Sequence, residues 1–177
     1  MIPTREECIN LLKKYHLSDL KIQHSLLVEN VAVSLSKLLN EKGILIDLNI
    51  VSRAALLHDI GVESKTPNKN HATIGAELCI NENIDLNICK IIQHHIAEAI
   101  LENKLDTMEK KIVFYSDKIC KNELIGIEKR FEPWFKFNNK STIDAKNKTI
   151  ALEKEILNKL NLTPEELYSL LKLKIEM

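Results

Sequence analysis

Glycine and proline are scarce, four of each in 177 residues. So few turn formers exclude a collagen-like, linker-rich or broadly disordered chain and disfavour a turn-dense β-sandwich. The four cysteines, Cys8, Cys79, Cys89 and Cys120, are scattered, with no C-x-x-C pair. That spacing excludes a zinc ribbon and a thioredoxin-type redox motif. No apolar run approaches the roughly 18 residues of a membrane span. The stretch from Met1 to Glu7 lacks the basic and apolar regions of a signal peptide. A cytoplasmic location with reduced thiols is therefore expected, and no membrane partner.

An excess of charge of one sign is also missing, since 25 Lys and Arg balance 25 Asp and Glu. Binding to nucleic acid through bulk basicity is not expected of such a chain. A mild basic surplus over residues 104–148 fits an anionic ligand or a solvated helical face equally well.

What the sequence does contain is helical periodicity nearly throughout. Thr4 and Glu7 spell a capping box that opens a first helix running to about Tyr15. Ser18 and Asp19 offer the start of a long second helix. Its apolar stripe runs through Leu27, Val31, Leu35 and Leu38, with Val28 and Leu39 beside it and His24 on the same face. Gly43 ends it, and Asp47 caps a third helix through Ala54, Ala55, Leu56 and Leu57. A polar loop over 62–70 leads to a helix beginning near His71, and Asp85 caps another that runs to about His95. Residues 97–106 read as a short helix or a loop. Thr107 opens a helix through Val113, Phe114, Asp117 and Ile119. Phe131, Trp134, Phe135 and Phe137 crowd around Pro133, where a helix is broken or followed by a turn. Ser141 to Leu160 and a segment from Pro164 complete a set of about seven to nine helices. The expected class is all-α: a single domain over 1–177, with a core over about 5–137 and a helical extension over 138–177.

Two places join acids to apolar helical runs. His58 and Asp59 follow Ala54-Ala55-Leu56-Leu57, and Asp117 follows Ile112-Val113-Phe114-Tyr115-Ser116. An ionised carboxylate in such surroundings needs a partner, and a metal ion is a good one. His24, His58, Asp59 and Asp117 together would offer two imidazoles and two carboxylates. Such a set suits Fe, Mn, Zn, Ni or Co, and spacing alone does not choose among them.

The order His24, His58-Asp59, Asp117 resembles the H…HD…D pattern of the HD-domain metal-dependent phosphohydrolases. His58-Asp59-Ile60-Gly61 spells the HDIG variant. His71-Ala72-Thr73-Ile74-Gly75-Ala76 is similar to the H-x-x-x-G-A segment of one subgroup, Ile92-Gln93-His94-His95-Ile96 to its later histidine segment, and Ser116-Asp117-Lys118 to its A-D-K. The resemblance spans about residues 5–137. It implies an HD-type helical bundle in which His24, His58, Asp59 and Asp117 hold one divalent transition metal. In two-metal relatives the HD aspartate bridges, so a second ion would fall to Asp59, His71 and either His94 or His95, the register favouring His95. Val62 stands where relatives often carry Arg or Lys, and Glu98 where a glycine is frequent.

The activity implied is hydrolysis of a phosphate ester or anhydride, of a nucleotide or another small phosphorylated metabolite, by metal-activated water. Asp59 would bridge or orient, and Lys118 would neutralise a phosphate. Lys65 in the 62–70 loop is a weaker phosphate candidate, the four aromatics around Pro133 could stack on a base, and His16 reads as solvated. The alternatives are an HD-fold di-iron oxygenase or a nucleotide-binding module without turnover. A homodimer is a further expectation left open.

Overall fold

The computed structural model describes residues 1–135 and 139–176. Its ten helices among the described residues are α1 (Arg5–Lys14), α2 (Asp19–Glu41), α3 (Leu48–Leu57), α4 (His71–Asn81), α5 (Leu86–Gln93), α6 (Ala97–Leu101), α7 (Met108–Ile119), α8 (Gly126–Phe135), α9 (Lys140–Leu160) and α10 (Pro164–Glu176). The chain is all-α, and pairing of β type is confined among the described residues to one isolated bridge, Cys120 with Leu124. No helix of the described residues is long and apolar enough to cross a membrane.

Helix starts follow the capping residues read from sequence. Thr4 accepts from the Glu7 amide at 3.2 Å, while Glu7 accepts from the Thr4 amide at 2.6 Å. Asp47 caps α3 by accepting from the amides of Asn49 and Ile50, and Thr107 caps α7 through the Lys110 amide. Each cap satisfies amides that a helix start leaves without partners. Ser18 begins α2 without a side-chain cap. The ambiguous 97–106 stretch divides into the short α6 over Ala97–Leu101 and a turn and loop over 102–106.

Pro133 lies inside α8 rather than breaking it. A proline there gives up one backbone hydrogen bond, but its side chain is exposed at the last turn. Phe131 beneath it is fully buried and meets the half-buried Trp134 edge-on, ring centroids 5.1 Å apart. Phe137 lies outside the described residues.

One buried apolar cluster takes side chains from Cys8 on α1 to Leu171 on α10. Within it α2 is the central element, packed on α3, α7 and α10. Contact on several sides explains a shift from the stripe expected of α2. Val28, Val31, Leu35 and Leu39 are fully buried, whereas Leu27 and Leu38 are only partly so. The helices beyond the expected core pack onto it: α9 on α6, α7 and α8, and α10 on α2. Tyr115 of α7 and Tyr168 of α10 both donate to Glu153 of α9, at 2.7 and 3.1 Å, so one carboxylate ties three helices together.

Candidate metal centre

Four imidazoles run edge to edge through the middle of the bundle. Ring centroids are 5.2 Å apart between His24 and His58, 5.0 Å between His58 and His95, and 5.0 Å between His95 and His71. They come from four places in the chain. His24 lies in the second turn of α2, His58 follows the end of α3, His71 opens α4 and His95 follows α5.

Local chemistry aims each ring. His58 donates its Nδ1–H to the Ala55 carbonyl at 2.8 Å, and His95 donates its Nδ1–H to the Ile92 carbonyl at 2.6 Å. Both bonds reach three residues back onto a helix end, where carbonyls lack helical partners. His24 donates from Nδ1 to the Lys121 carbonyl, beyond the end of α7, at 2.8 Å. A neutral imidazole that donates from Nδ1 carries a lone pair on Nε2. The Nε2 atoms of His58 and His95 face the Asp59 carboxylate, whereas His24 Nε2 faces the Asp117 carboxylate and donates to it at 3.2 Å.

Two glycines bring α4 to the end of α3. A Cβ on Gly61 would stand 2.3 Å from the His71 carbonyl oxygen and 2.5 Å from the Gly75 nitrogen, distances no side chain can occupy. A Cβ is likewise crowded at Gly75, by Ile60 and Ile92 at 3.2 Å each. The last residue of the His58-Asp59-Ile60-Gly61 run is therefore a backbone requirement: only glycine lets His71 sit beside Asp59.

The donors form two triads that share one residue. His24, His58 and Asp59 offer atoms within 4.8 Å of one another, and so do Asp59, His71 and His95. Asp59 Oδ2 is 3.5 Å from His58 Nε2, while its Oδ1 is 3.5 Å from both His71 Nε2 and His95 Nε2. Each carboxylate oxygen thus serves one triad. The Nε2 atoms of His71 and His95 are 3.0 Å apart.

Asp117, buried in the last turn of α7, lies beside the first triad, its Oδ1 3.2 Å from His24 Nε2 and 3.8 Å from His58 Nε2. Its Oδ2 accepts from Lys118 Nζ, which also donates to the His95 carbonyl at 3.1 Å. Arg130 of α8 donates to the Asp117 carbonyl at 3.2 Å and to Oδ1 at 3.3 Å.

These surroundings set protonation. Burial pushes His58 down to about 4, more strongly than the facing carboxylates raise it. Burial likewise lowers His71, helped by its neighbour His95. His24 is raised, because Asp117 and the Lys121 carbonyl outweigh its burial. Asp59 stays ionised against its burial through the imidazoles of His58 and His95, and Asp117 through Lys118 and His24. The result is a pair of ionised carboxylates facing a cluster in which burial holds His58 and His71 towards the neutral form. His58 Nε2 is the sharpest case, for it is buried without a hydrogen-bond partner among the described residues. A buried polar atom left so is costly, and a cation is the partner its lone pair fits. The cluster is compatible with a divalent metal.

His94, the alternative to His95, sits outside both triads. Burial lowers it, with Lys110 and Lys104 as its charged neighbours. His16 is exposed, as expected, in a left-handed turn at φ 62°. Beside the cluster opens a cavity of about 520 Å³, lined by Asp59, His71, His95, Asp117, Lys118 and Arg130 on its polar side and by Ile96, Ala97, Leu101, Trp134 and Ala145 elsewhere. The two departures noted in sequence, Val62 and Glu98, both line it, whereas Lys65 is exposed and does not. Arg130 is the site residue that sequence reading missed. The basic surplus of 104–148 was its only trace.

A family model, HD domain, matches residues 22–122. The chain belongs to the HD-domain family. Among curated proteins it is 32% identical over 131 residues to a tRNA (cytidine(56)-2'-O)-methyltransferase of Thermoplasma volcanium, covering 67% of this chain and 37% of that protein. It is 30% identical over 168 residues to the protein of the same name from Picrophilus torridus, covering 88% of this chain and 47% of that protein. An uncharacterized protein of Methanocaldococcus jannaschii is 28% identical over 171 residues, covering 88% of this chain and 98% of the relative. The chain thus spans less than half the length of the two relatives named as methyltransferases. No solved structure matches.

Proposed function

We propose that this HD domain is a metal-dependent phosphohydrolase acting on a phosphate ester or anhydride, of a nucleotide or another small phosphorylated metabolite. The observation that carries the reading is the pair of triads meeting at Asp59, with the buried His58 Nε2 of the first left without a hydrogen-bond partner among the described residues. His24, His58 and Asp59 would hold one ion, with Asp117 beside them, and Asp59, His71 and His95 would hold a second. Fe, Mn, Zn, Ni and Co all suit this mixture of imidazole and carboxylate. Bound there, a divalent ion polarises a phosphoryl oxygen and acidifies water.

The chain's own groups do the rest. The Nδ1 bonds to Lys121, Ala55 and Ile92 fix the rings of His24, His58 and His95, so little reorganisation accompanies loading. Asp59 spans both sites and orients what lies between them. Lys118 holds Asp117 against the His95 carbonyl and brings positive charge to a wall that receives a phosphate. The apolar walls at Ile96, Ala97 and Leu101 limit competing water. The whole of 1–177 acts as a single domain in this reading, in the cytoplasm and without a membrane partner.

The test is phosphate release from p-nitrophenyl phosphate, bis(p-nitrophenyl) phosphate and a nucleotide panel, with each candidate metal supplied. Release by the wild type and a loss of about a thousandfold in Asp59→Ala is expected. Metal-loaded protein that releases phosphate from none of them contradicts the proposal. The names of two relatives place a tRNA methylation assay alongside, and dioxygen uptake is followed in the same panel. Turnover in either instead of phosphate release would replace the hydrolytic reading.

A further inference from the structure

The two ends of Arg130 are held by different chemistry. Its Nε and one Nη donate to the carbonyl and the carboxylate of Asp117, at 3.2 and 3.3 Å. The guanidinium carbon lies 5.1 Å from the centroid of the Trp134 ring, one turn further along α8. A guanidinium over an indole face is attracted by its quadrupole and loses freedom to swing. Trp134 in turn meets the fully buried Phe131 edge-on, so the stack is anchored in the core.

This held cation faces the cavity. Arg130 lines it with Trp134, and its side chain keeps 21% of its surface exposed, against 6% for Lys118. Lys118 is the deeper charge, committed to Asp117 and the His95 carbonyl. Arg130 has long contacts to Asp117, a planar fork with five donors, and open space in front of it. Its distance from the first triad is one carboxylate, since Asp117 Oδ1 is 3.2 Å from His24 Nε2 and 3.3 Å from Arg130 Nη2. Both residues lie beyond the 22–122 segment matched by the family model. They are a contribution of α8 to the mouth of the site.

We propose that Arg130 is a substrate-recognition residue that grips the non-bridging oxygens of the substrate's phosphate, and that Trp134 is a positioning residue that holds the guanidinium in place. The assignment rests on the phosphoryl-binding function proposed above. It adds that phosphate binding is set in part by a stacked pair outside the histidine and aspartate cluster.

The experiment is calorimetric titration of metal-loaded protein with inorganic phosphate, with metal content measured in each sample. Arg130→Gln is expected to bind phosphate about tenfold or more weakly, with metal content unchanged, and Arg130→Lys to recover part of the loss because it restores charge without the fork. Trp134→Leu, which removes no charge, is expected to weaken phosphate several-fold, and Trp134→Phe to restore most of it. Wild-type affinity in Arg130→Gln would overturn the assignment and leave Arg130 as a partner of Asp117 only. Should Arg130→Gln fail to fold, wild-type affinity in both Arg130→Lys and Trp134→Leu would overturn it instead. A wild-type protein that holds metal but binds no phosphate contradicts the phosphohydrolase reading itself, which separates the two failures.

Discussion

The triads that share Asp59 differ in depth. His24, His58 and Asp59 lie towards the centre of the bundle, and the His58 side chain is 0% exposed. Asp59, His71 and His95 line the cavity, and although His95 is buried the His71 side chain is 37% exposed. The inner triad has both imidazoles aimed by Nδ1 bonds to backbone, from Ala55 and Lys121. In the outer one, among the described residues, His95 has such a bond, to Ile92, while His71 depends on the close approach of α4 to Gly61. Depth and orientation favour retention of an ion, and exposure favours exchange and contact with substrate. On the proposed function, the inner site is the tighter one and the outer site the more readily emptied.

The largest effect should follow from removing what the triads share. Asp59→Ala is expected to strip both ions together and to abolish metal-dependent phosphate release, as read by metal analysis and the phosphatase panel. A variant that kept one ion would separate the triads. Next comes Gly61→Ala, whose new methyl meets backbone of His71 and Gly75. Overpacking of this kind costs about 3 kcal/mol, measured by denaturant unfolding. The outer site is expected to suffer more than the inner one, because His71 is displaced.

Single-histidine variants sharpen the contrast in depth. His58→Asn should empty the inner site, while His71→Asn should spare it and weaken the outer ion by more than the roughly 10- to 100-fold that losing an outer-shell partner costs, measured by competition with a chelating dye. Proton linkage probes the inner triad without metal. Below about pH 6.5 an unfolded His58 takes up a proton that the folded one, pushed down to about 4, refuses. Its contribution to stability is therefore full above about pH 6.5 and lost as the pH falls to about 4, a difference of about 3 kcal/mol. His71 is lowered and adds in the same direction, whereas the raised His24 works the opposite way. Melting of metal-stripped protein should fall across this window in the wild type and fall less in His58→Asn. The smallest effect is expected from His94→Asn, which should leave metal content and phosphate release unchanged, since His94 lies outside both triads.

Much of this arrangement was legible in the sequence, for identifiable reasons. Thr4, Asp47 and Thr107 announce helix starts because a cap is a local contact between residues two or three apart. His58-Asp59-Ile60-Gly61 was legible as a run, and the choice of His95 over His94 as a register. What stayed hidden depends on distant parts of the chain. The burial of Val28 and Leu39 in place of Leu27 and Leu38 follows from α7 and α10 closing around α2. Arg130 looks like any base on a helical face until α8 folds it against Asp117, thirteen residues earlier in the chain. Lys65 reads as a weaker phosphate candidate than Lys118, and the fold agrees by putting Lys118 on the cavity wall and Lys65 in solvent.

The claim on which the rest depends is that two triads of unequal depth meet at one carboxylate. Metal analysis of protein purified without chelator tests it directly, with His71→Asn and Asp59→Ala prepared in parallel. About two equivalents in the wild type, about one in His71→Asn and close to none in Asp59→Ala is the predicted result. A wild type holding about one equivalent, unchanged in His71→Asn, would contradict the account.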